Sequence, residues 1–396
     1  MYSHQKIKTG NNILDQSVSL AKIILNEYDI CDNCTGRLFT KKMGLSSNQL
    51  LGKKIKNRLN FTSSKICYIC KEIHSNLQSI VDRMLEQSSD YEFSTFVIGA
   101  IIKPSIIDRD DLIRSKFKLQ GTDSVKTGIT KELSKKFAMK TKKKIDFFYP
   151  DLTFTYNFKN DSCELQTRTL ILSGRYVKKN RGLPQKQALC INCNGKGCLQ
   201  CNNHGFSNFT SVEGKIAKFL FKKFSGTQTK ITWIGGEDKN SLVLGNGRPF
   251  FAKLFNPKKR IARLQKKYAI DELEIHNMKI ISKIPKKAIS FRSTIKLSIL
   301  TEQKLKQKSL EALKILKKTP IEIFEKPNKR TKKSIYRIKF KKSSPKSFLI
   351  WITADGGLPI KRFVEGNNIH PNLSELLGNK CRCKEFDFHK VDLLNI

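Results

Sequence analysis

Residues Gly235 to Phe250 read G-G-E-D-K-N-S-L-V-L-G-N-G-R-P-F, and the fold is read outward from them. Two adjacent carboxylates, Glu237 and Asp238, precede an apolar run in which Leu242, Val243 and Leu244 can hold a strand in a core. Gly245-Asn246-Gly247 accepts positive φ, so the strand is expected to end there in a tight turn carrying Arg248 and Pro249. A second apolar strand, Phe250 to Phe255, follows. An acid fixed beside a buried strand is a candidate reactive group, while an ordinary solvated turn explains these residues equally well.

Composition narrows the partners. The chain has 396 residues, enough for two or three domains, with 76 Lys and Arg against 34 Asp and Glu, a formal net charge of +42. Such a charge repels itself in a compact state and points to a polyanionic partner, with nucleic acid favoured. Lysine exceeds arginine several-fold, which suits point contacts with phosphates better than bidentate reading of bases. No apolar run approaches the ~20 residues that span a bilayer, and the first residues lack a signal-peptide apolar core. A cytoplasmic location is expected, where the 11 cysteines bind metal more readily than they form disulfides.

The cysteines fall into metal-ligand spacings. C-D-N-C carries Cys31 and Cys34, and C-Y-I-C carries Cys67 and Cys70. Between them lies a basic segment that reads as a helix capped by Ser46 or Ser47. The run C-I-N-C-N-G-K-G-C-L-Q-C brings Cys190, Cys193, Cys198 and Cys201, with glycines that let the loop turn back. Each quartet fits a tetrahedral zinc site with no open position for water, so both metals are expected to be structural. No organic cofactor, membrane or obligate protein partner is called for. Cys163 reads as a core or hairpin residue, and Cys381 and Cys383 are too closely spaced to assign.

The remaining elements point to an α+β protein. An amphipathic helix is expected over Ile13 to Tyr28, with Leu14, Val18, Ala21 and Leu25 on its stripe. Further helices are expected at Leu77 to Leu85, Val125 to Met139 and Glu302 to Lys318, the last with Leu305, Ala312, Leu313 and Leu316 inward. Strands are expected at Glu92 to Ile102, Leu152 to Phe158, Leu165 to Leu172, Phe291 to Leu300, Tyr336 to Phe340, Ser347 to Thr353 and Lys384 to Leu394. Gly174 to Gln185, with Arg175 and Tyr176, reads as a basic loop able to hold phosphates and stack a base, or as a domain linker. No phosphate loop, HExxH or nucleophile elbow occurs.

Four stretches carry a resemblance. They are C-D-N-C-T-G-R-L-F, G-R-Y-V-K-K-N-R-G-L-P-Q, G-E-D…L-G-N-G-R-P-F and G-L-P-I-K-R-F-V-E-G-N-N…P-N-L-S-E-L-L-G. In this order they resemble the pseudouridine synthase 10 family over nearly the whole chain, and the second cysteine cluster resembles its archaeal members. The resemblance implies an N-terminal zinc module (1–75), a THUMP-like RNA-binding domain (76–172), and a pseudouridine synthase domain (173–396) on a mixed, largely antiparallel sheet. It further implies a reaction, isomerisation of uridine 54 and/or 55 in the T arm of tRNA. Asp238 matches the family's nucleophile, and Lys361 the basic residue expected to keep it ionised. Arg248, Ile295, Pro359, Arg175 and Tyr176 become expected substrate contacts.

The chain departs from the family pattern at Gly236, where Arg is usual, and at Asn240 and Leu242, where Asp and Arg are usual. Ile295 and Pro359 stand where the family has tyrosines. These changes leave an alternative open, a weakened tRNA-binding relative acting as an RNA-folding or scaffold protein.

Overall fold

The computed structural model describes residues 17–43, 47–62, 66–261, 263–326 and 329–394. It divides into two compact units, Met1–Arg168 and Thr169–Ile396.

In the first unit, helix α1 (residues 17–27) leads into α2 (Asp32–Met43) and α3 (Asn48–Arg58). Ile13 and Leu14 of the expected opening helix lie outside the described residues; Ala21 and Leu25 of the same stripe are buried. The Ser47 hydroxyl accepts from Leu50 N and caps α3, as the sequence suggests. After α4 (Leu77–Ser88) come β1 (Thr95–Ile101), α5 (Pro104–Lys116), α6 (Val125–Thr141), β2 (Lys144–Ile145), β3 (Leu152–Asn157) and β4 (Ser162–Thr167).

The sheet order is β2-β1-β3-β4, with β1 parallel to both neighbours and β3 and β4 antiparallel. Alternate residues of β1 and β3 point inward, and Phe137 of α6 packs edge-on against Phe96 and Phe154, 4.7 and 5.1 Å between centroids. Burying each such ring stabilises the unit by about 1.5–3 kcal/mol. The core is continuous with Cys34, Cys67, Cys70 and the helices around them. The two most deeply buried charged side chains among the described residues of this unit form a pair: Arg37 and Asp110, each 1% exposed, bind each other, and Asp110 also accepts from Val125 N.

The second unit is built on one large sheet. Its strands are β5 (Leu170–Lys178), β6 (Gln228–Trp233), β7 (Val243–Phe255), β8 (Lys267–Ile270), β9 (Leu273–Ile280) and β10 (Phe291–Thr301). They continue with β11 (Ile321–Lys326), β12 (Lys329–Lys333), β13 (Ile335–Ser344), β14 (Ser347–Asp355), β15 (Ile369–His370) and β16 (Cys381–Leu393). The order β13-β14-β10-β16-β7-β5-β9-β8, with β6 on β7, is antiparallel except where β16 meets β7. The expected mixed, largely antiparallel sheet is therefore present. β12-β11-β15 make a separate small sheet. Helix α7 (Val212–Phe224) supplies Ile216, Ala217, Leu220 and Phe224 to the core, while α8 (Ile360–Glu365) and α9 (Leu373–Leu377) sit between β14 and β16 in sequence.

Four local expectations need correction. Gly245-Asn246-Gly247 is not a chain reversal: β7 runs through it, with an irregularity against β5 where Lys178 pairs with Val243 and Tyr176 with Arg248. The glycines are required there. Each has positive φ, and a Cβ would lie 2.3 Å from His389 O at Gly245 and 2.5 Å from Tyr176 O at Gly247. Leu165 to Leu172 is two strands, since the chain leaves the first sheet at Thr167 and enters the second at Leu170. Gly174 to Lys178 is strand, not loop. Finally, Gln307–Lys317 is a 3₁₀ helix, with Leu310, Leu313 and Leu316 buried at intervals of three and Ala312 exposed.

Candidate active site

The loop between β6 and β7 holds both carboxylates of the opening stretch, and they have opposite environments. Glu237 points into the protein. Its Oε1 lies 3.1 Å from Lys178 Nζ, with both side chains 0% exposed, and its Oε2 accepts from the Tyr176 hydroxyl at 2.9 Å and lies 3.6 Å from Arg248 Nε. Lys178 Nζ also donates to the carbonyls of Leu183 (3.0 Å), Asp238 (3.2 Å) and Lys239 (3.3 Å). Gln185 donates to the Tyr176 hydroxyl and to Gly235 O. Burial, then the Glu237 charge, pushes the Tyr176 phenol well above its usual range, so it stays a neutral donor. One buried ammonium thus grips the carbonyls of Asp238 and of the residue after it.

Asp238 turns outward. Its Oδ2 accepts from Lys361 Nζ at 2.7 Å and its Oδ1 from Asn240 N at 3.0 Å. Burial raises the Asp238 pKa, but the Lys361 hydrogen bond, the Asn240 N–H and the Lys361 and Lys178 charges outweigh it, and the net shift is downward. Lys361 is correspondingly raised, mainly by its hydrogen bond to Asp238. Lys361 comes from the first turn of α8, which Gly366 ends with φ 96°. The loop is tied to β16 as well: Asp387 takes Arg181 through both oxygens, at 2.7 and 2.8 Å, and accepts from Leu242 N at 2.9 Å. Asn240 and Leu242 therefore hold the loop through their backbone N–H groups.

Asp238 and Lys361 line a cleft of about 400 Å³. Arg248, Ile295 and Pro359 line it too, so five of the seven expected site residues converge although they come from three separate stretches. Arg248 is buried under the wall; its Nη1 donates to Ile234 O at 2.9 Å and its guanidinium lies 4.1 Å from the Phe388 ring centroid. The remaining two are placed elsewhere. Tyr176 is fully buried on Glu237, with no face free to stack a base. Arg175 binds the carbonyls of Asn246, Gly247 and Val391, bracing the glycine irregularity. Sequence reading missed the aromatic wall of Phe291, Phe386 and Phe388, although the alternation F-D-F in β16 was a signal for two of them. It also missed Lys178, which looks like solvated charge in K-K-N-R.

The two cysteine quartets are assembled. Within each, all four Sγ atoms lie within 4.8 Å of one another. Sulfur–sulfur distances are 3.7 Å for Cys31 and Cys70, 3.7 Å for Cys198 and Cys201, 3.8 Å for Cys193 and Cys201, and 3.9 Å for Cys190 and Cys198. A tetrahedral zinc with ~2.3 Å bonds spaces its sulfurs about 3.8 Å apart, whereas a disulfide needs about 2.05 Å. Backbone N–H groups also point at sulfur: Cys31 N at Cys67 Sγ (3.3 Å), Gly197 N at Cys193 Sγ (3.2 Å) and Gly205 N at Cys201 Sγ (3.2 Å). Such donors stabilise thiolates. Both quartets fit a metal ion.

Asp238, held by Lys361, therefore stands at an aromatic-walled cleft on a mixed sheet in a strongly basic chain. Residues 171–392 match the family model "Pus10, C-terminal" and residues 80–157 match "Pus10 THUMP domain, archaeal". Among similar proteins is a tRNA pseudouridine synthase Pus10 from Nitrosopumilus maritimus, 50% identical over 95% of this chain and 98% of its own. Another, from Cenarchaeum symbiosum, is 34% identical over 92% of this chain and 90% of its own. The chain belongs to the Pus10 family. No helix among the described residues is long and apolar enough to cross a membrane.

Proposed function

We propose that this protein isomerises uridine 54, uridine 55 or both in the T arm of tRNA to pseudouridine, with Asp238 as the catalytic carboxylate. The observation that carries the reading is the Asp238–Lys361 pair, 2.7 Å apart in one cleft and contributed by segments 123 residues distant in sequence. The reaction detaches uracil from C1′, rotates it and rejoins it through C5, so no redox partner is needed. Asp238 acts on the ribose, either by attack at C1′ or by removing a sugar proton, and both require the ionised form. Phe291, Phe386, Phe388 and Ile295 offer the apolar surface that receives a base flipped out of folded RNA. Arg248 and Glu237 position the loop. Residues 76–172 and the basic surface hold tRNA, in the cytoplasm.

Lys361→Met tests the pairing. A depressed carboxylate pKa means the ionised form persists above that pKa and is lost as pH falls through it. Removing the lysine raises the Asp238 pKa, so the acidic limb of the pH–rate profile moves to higher pH. An unmoved acidic limb would contradict the assignment of Lys361.

The metals are proposed as two structural zinc ions, one per quartet. Mass spectrometry under native conditions is expected to count two, and Cys34→Ser or Cys193→Ser to remove one each. Because Cys34, Cys67 and Cys70 belong to the core of the first unit, chelation there should lower its melting temperature by several degrees or more. A count near zero in freshly purified protein sinks the zinc assignment.

A further inference from the structure

Between β2 and β3 the chain makes a short turn, Asp146-Phe147-Phe148-Tyr149-Pro150, that exposes three successive aromatic side chains. Phe147 is 77% exposed, Phe148 87% and Tyr149 72%. Nothing in the active-site reading uses them. The turn is held rather than loose. Asp146 Oδ1 accepts from Phe148 N (2.9 Å) and Tyr149 N (3.0 Å), Asp146 N donates to Phe96 O, and Asp151 N donates to Thr95 O. Its charged surroundings are cationic at the surface. Lys142 and Lys144 are exposed just before it, and Arg168 stands beside Asp146 and Asp151, bound to the latter at 2.5 Å. Both nearby carboxylates are thus engaged from within.

We infer that the Phe147-Phe148-Tyr149 turn is a stacking platform for unpaired RNA bases, with Lys142 and Lys144 taking the adjoining phosphates. Aromatic faces accept any base, and cations beside them follow the backbone, which suits a single strand and gives nothing to a closed duplex whose bases are already stacked. Charge complementarity decides against a second copy of this +42 chain as the occupant. The inference rests on the proposed RNA substrate but names a different surface from the catalytic cleft, one that positions RNA without touching the reacting uridine.

The test uses the full chain and an unpaired RNA of about ten nucleotides carrying one 2-aminopurine, with a blunt duplex of the same sequence as comparison. Wild type is expected to bind the single strand and quench the aminopurine. Exchanging all three aromatics (Phe147→Ser, Phe148→Ser, Tyr149→Ser) should remove the quench and weaken single-strand binding about ten-fold or more, leaving duplex binding unchanged. Lys142→Gln with Lys144→Gln should keep the quench and flatten the slope of log affinity against log salt by about 1.4. Asp146→Ala, which frees the turn but keeps the aromatics, should fall between wild type and the triple variant.

Unchanged single-strand affinity in the triple variant, or equal losses for strand and duplex, overturns the platform. So does a self-association of wild type, seen by sedimentation, that the triple variant loses while RNA affinity stays. Pseudouridine formation by wild type is measured alongside. Product with an inert turn overturns only the platform. No product overturns the proposed enzymatic reading and leaves the quenching result to be judged alone.

Discussion

Asp238→Asn is expected to abolish pseudouridine formation, lowering the single-turnover rate on the order of 10⁴-fold or more, while tRNA affinity stays within about two-fold. The change preserves volume and still offers an oxygen to Asn240 N, so the loop geometry survives. What disappears is the negative charge that the proposed chemistry needs. The buried frame, Glu237 with Lys178, Tyr176 and Arg248, does not involve the Asp238 carboxylate and should be untouched. A melting curve identical to wild type, with no product, separates loss of chemistry from loss of structure. Activity within ten-fold of wild type would remove Asp238 from the mechanism.

The second large effect is on stability. Lys178→Met removes a fully buried ammonium that faces Glu237 and three backbone carbonyls. Breaking a buried pair from one side strands the other charge and costs about 3–5 kcal/mol. For a unit of this size that is a fall in melting temperature of roughly 10 °C. Glu237→Gln added to Lys178→Met should recover little of the loss, because it leaves the buried Arg248, 3.6 Å from the Glu237 carboxylate, without its acid. Activity should fall in the single variant even well below its melting temperature, since the carbonyls of Asp238 and Lys239 are released. Equal stability of wild type and single variant would show that Lys178 does not hold the loop.

How far the sequence carried differs between elements, for physical reasons. Metal quartets are legible because their ligands come as CxxC pairs, even where, as with Cys31 and Cys70, two ligands lie 39 positions apart. Asp238 and Lys361 are 123 positions apart, and only the resemblance joined them. The run R-Y-V-K-K-N-R reads as solvated loop because burying Arg and Lys is costly without partners. Besides the nearby Leu183 carbonyl, its partners, Glu237 and the carbonyls of Asp238 and Lys239, lie distant in sequence and supply what burial requires. Gly245-Asn246-Gly247 has turn chemistry, yet neighbouring strands on both sides keep it in the sheet, where the glycines serve close approach rather than reversal. In Gln307–Lys317, leucines at intervals of three match a 3₁₀ period, which a search at 3.6 blurred into an α-helix.

The departures flanking Asp238 also acquire a physical reading. A side chain at Gly236 would enter open space, its nearest neighbour being Gln185 Oε1 at 3.9 Å, and Ile295 sits in a wall that Phe291, Phe386 and Phe388 already make aromatic. The cleft keeps an apolar surface for a base although Ile295 and Pro359 stand where the resemblance implies tyrosines.

The most direct test is to incubate the wild-type protein with unmodified tRNA and map pseudouridine chemically along its whole length. Pseudouridine is expected at position 54, 55 or both, and nowhere once Asp238 is changed. Tight tRNA binding with no pseudouridine formed would contradict the proposed reaction.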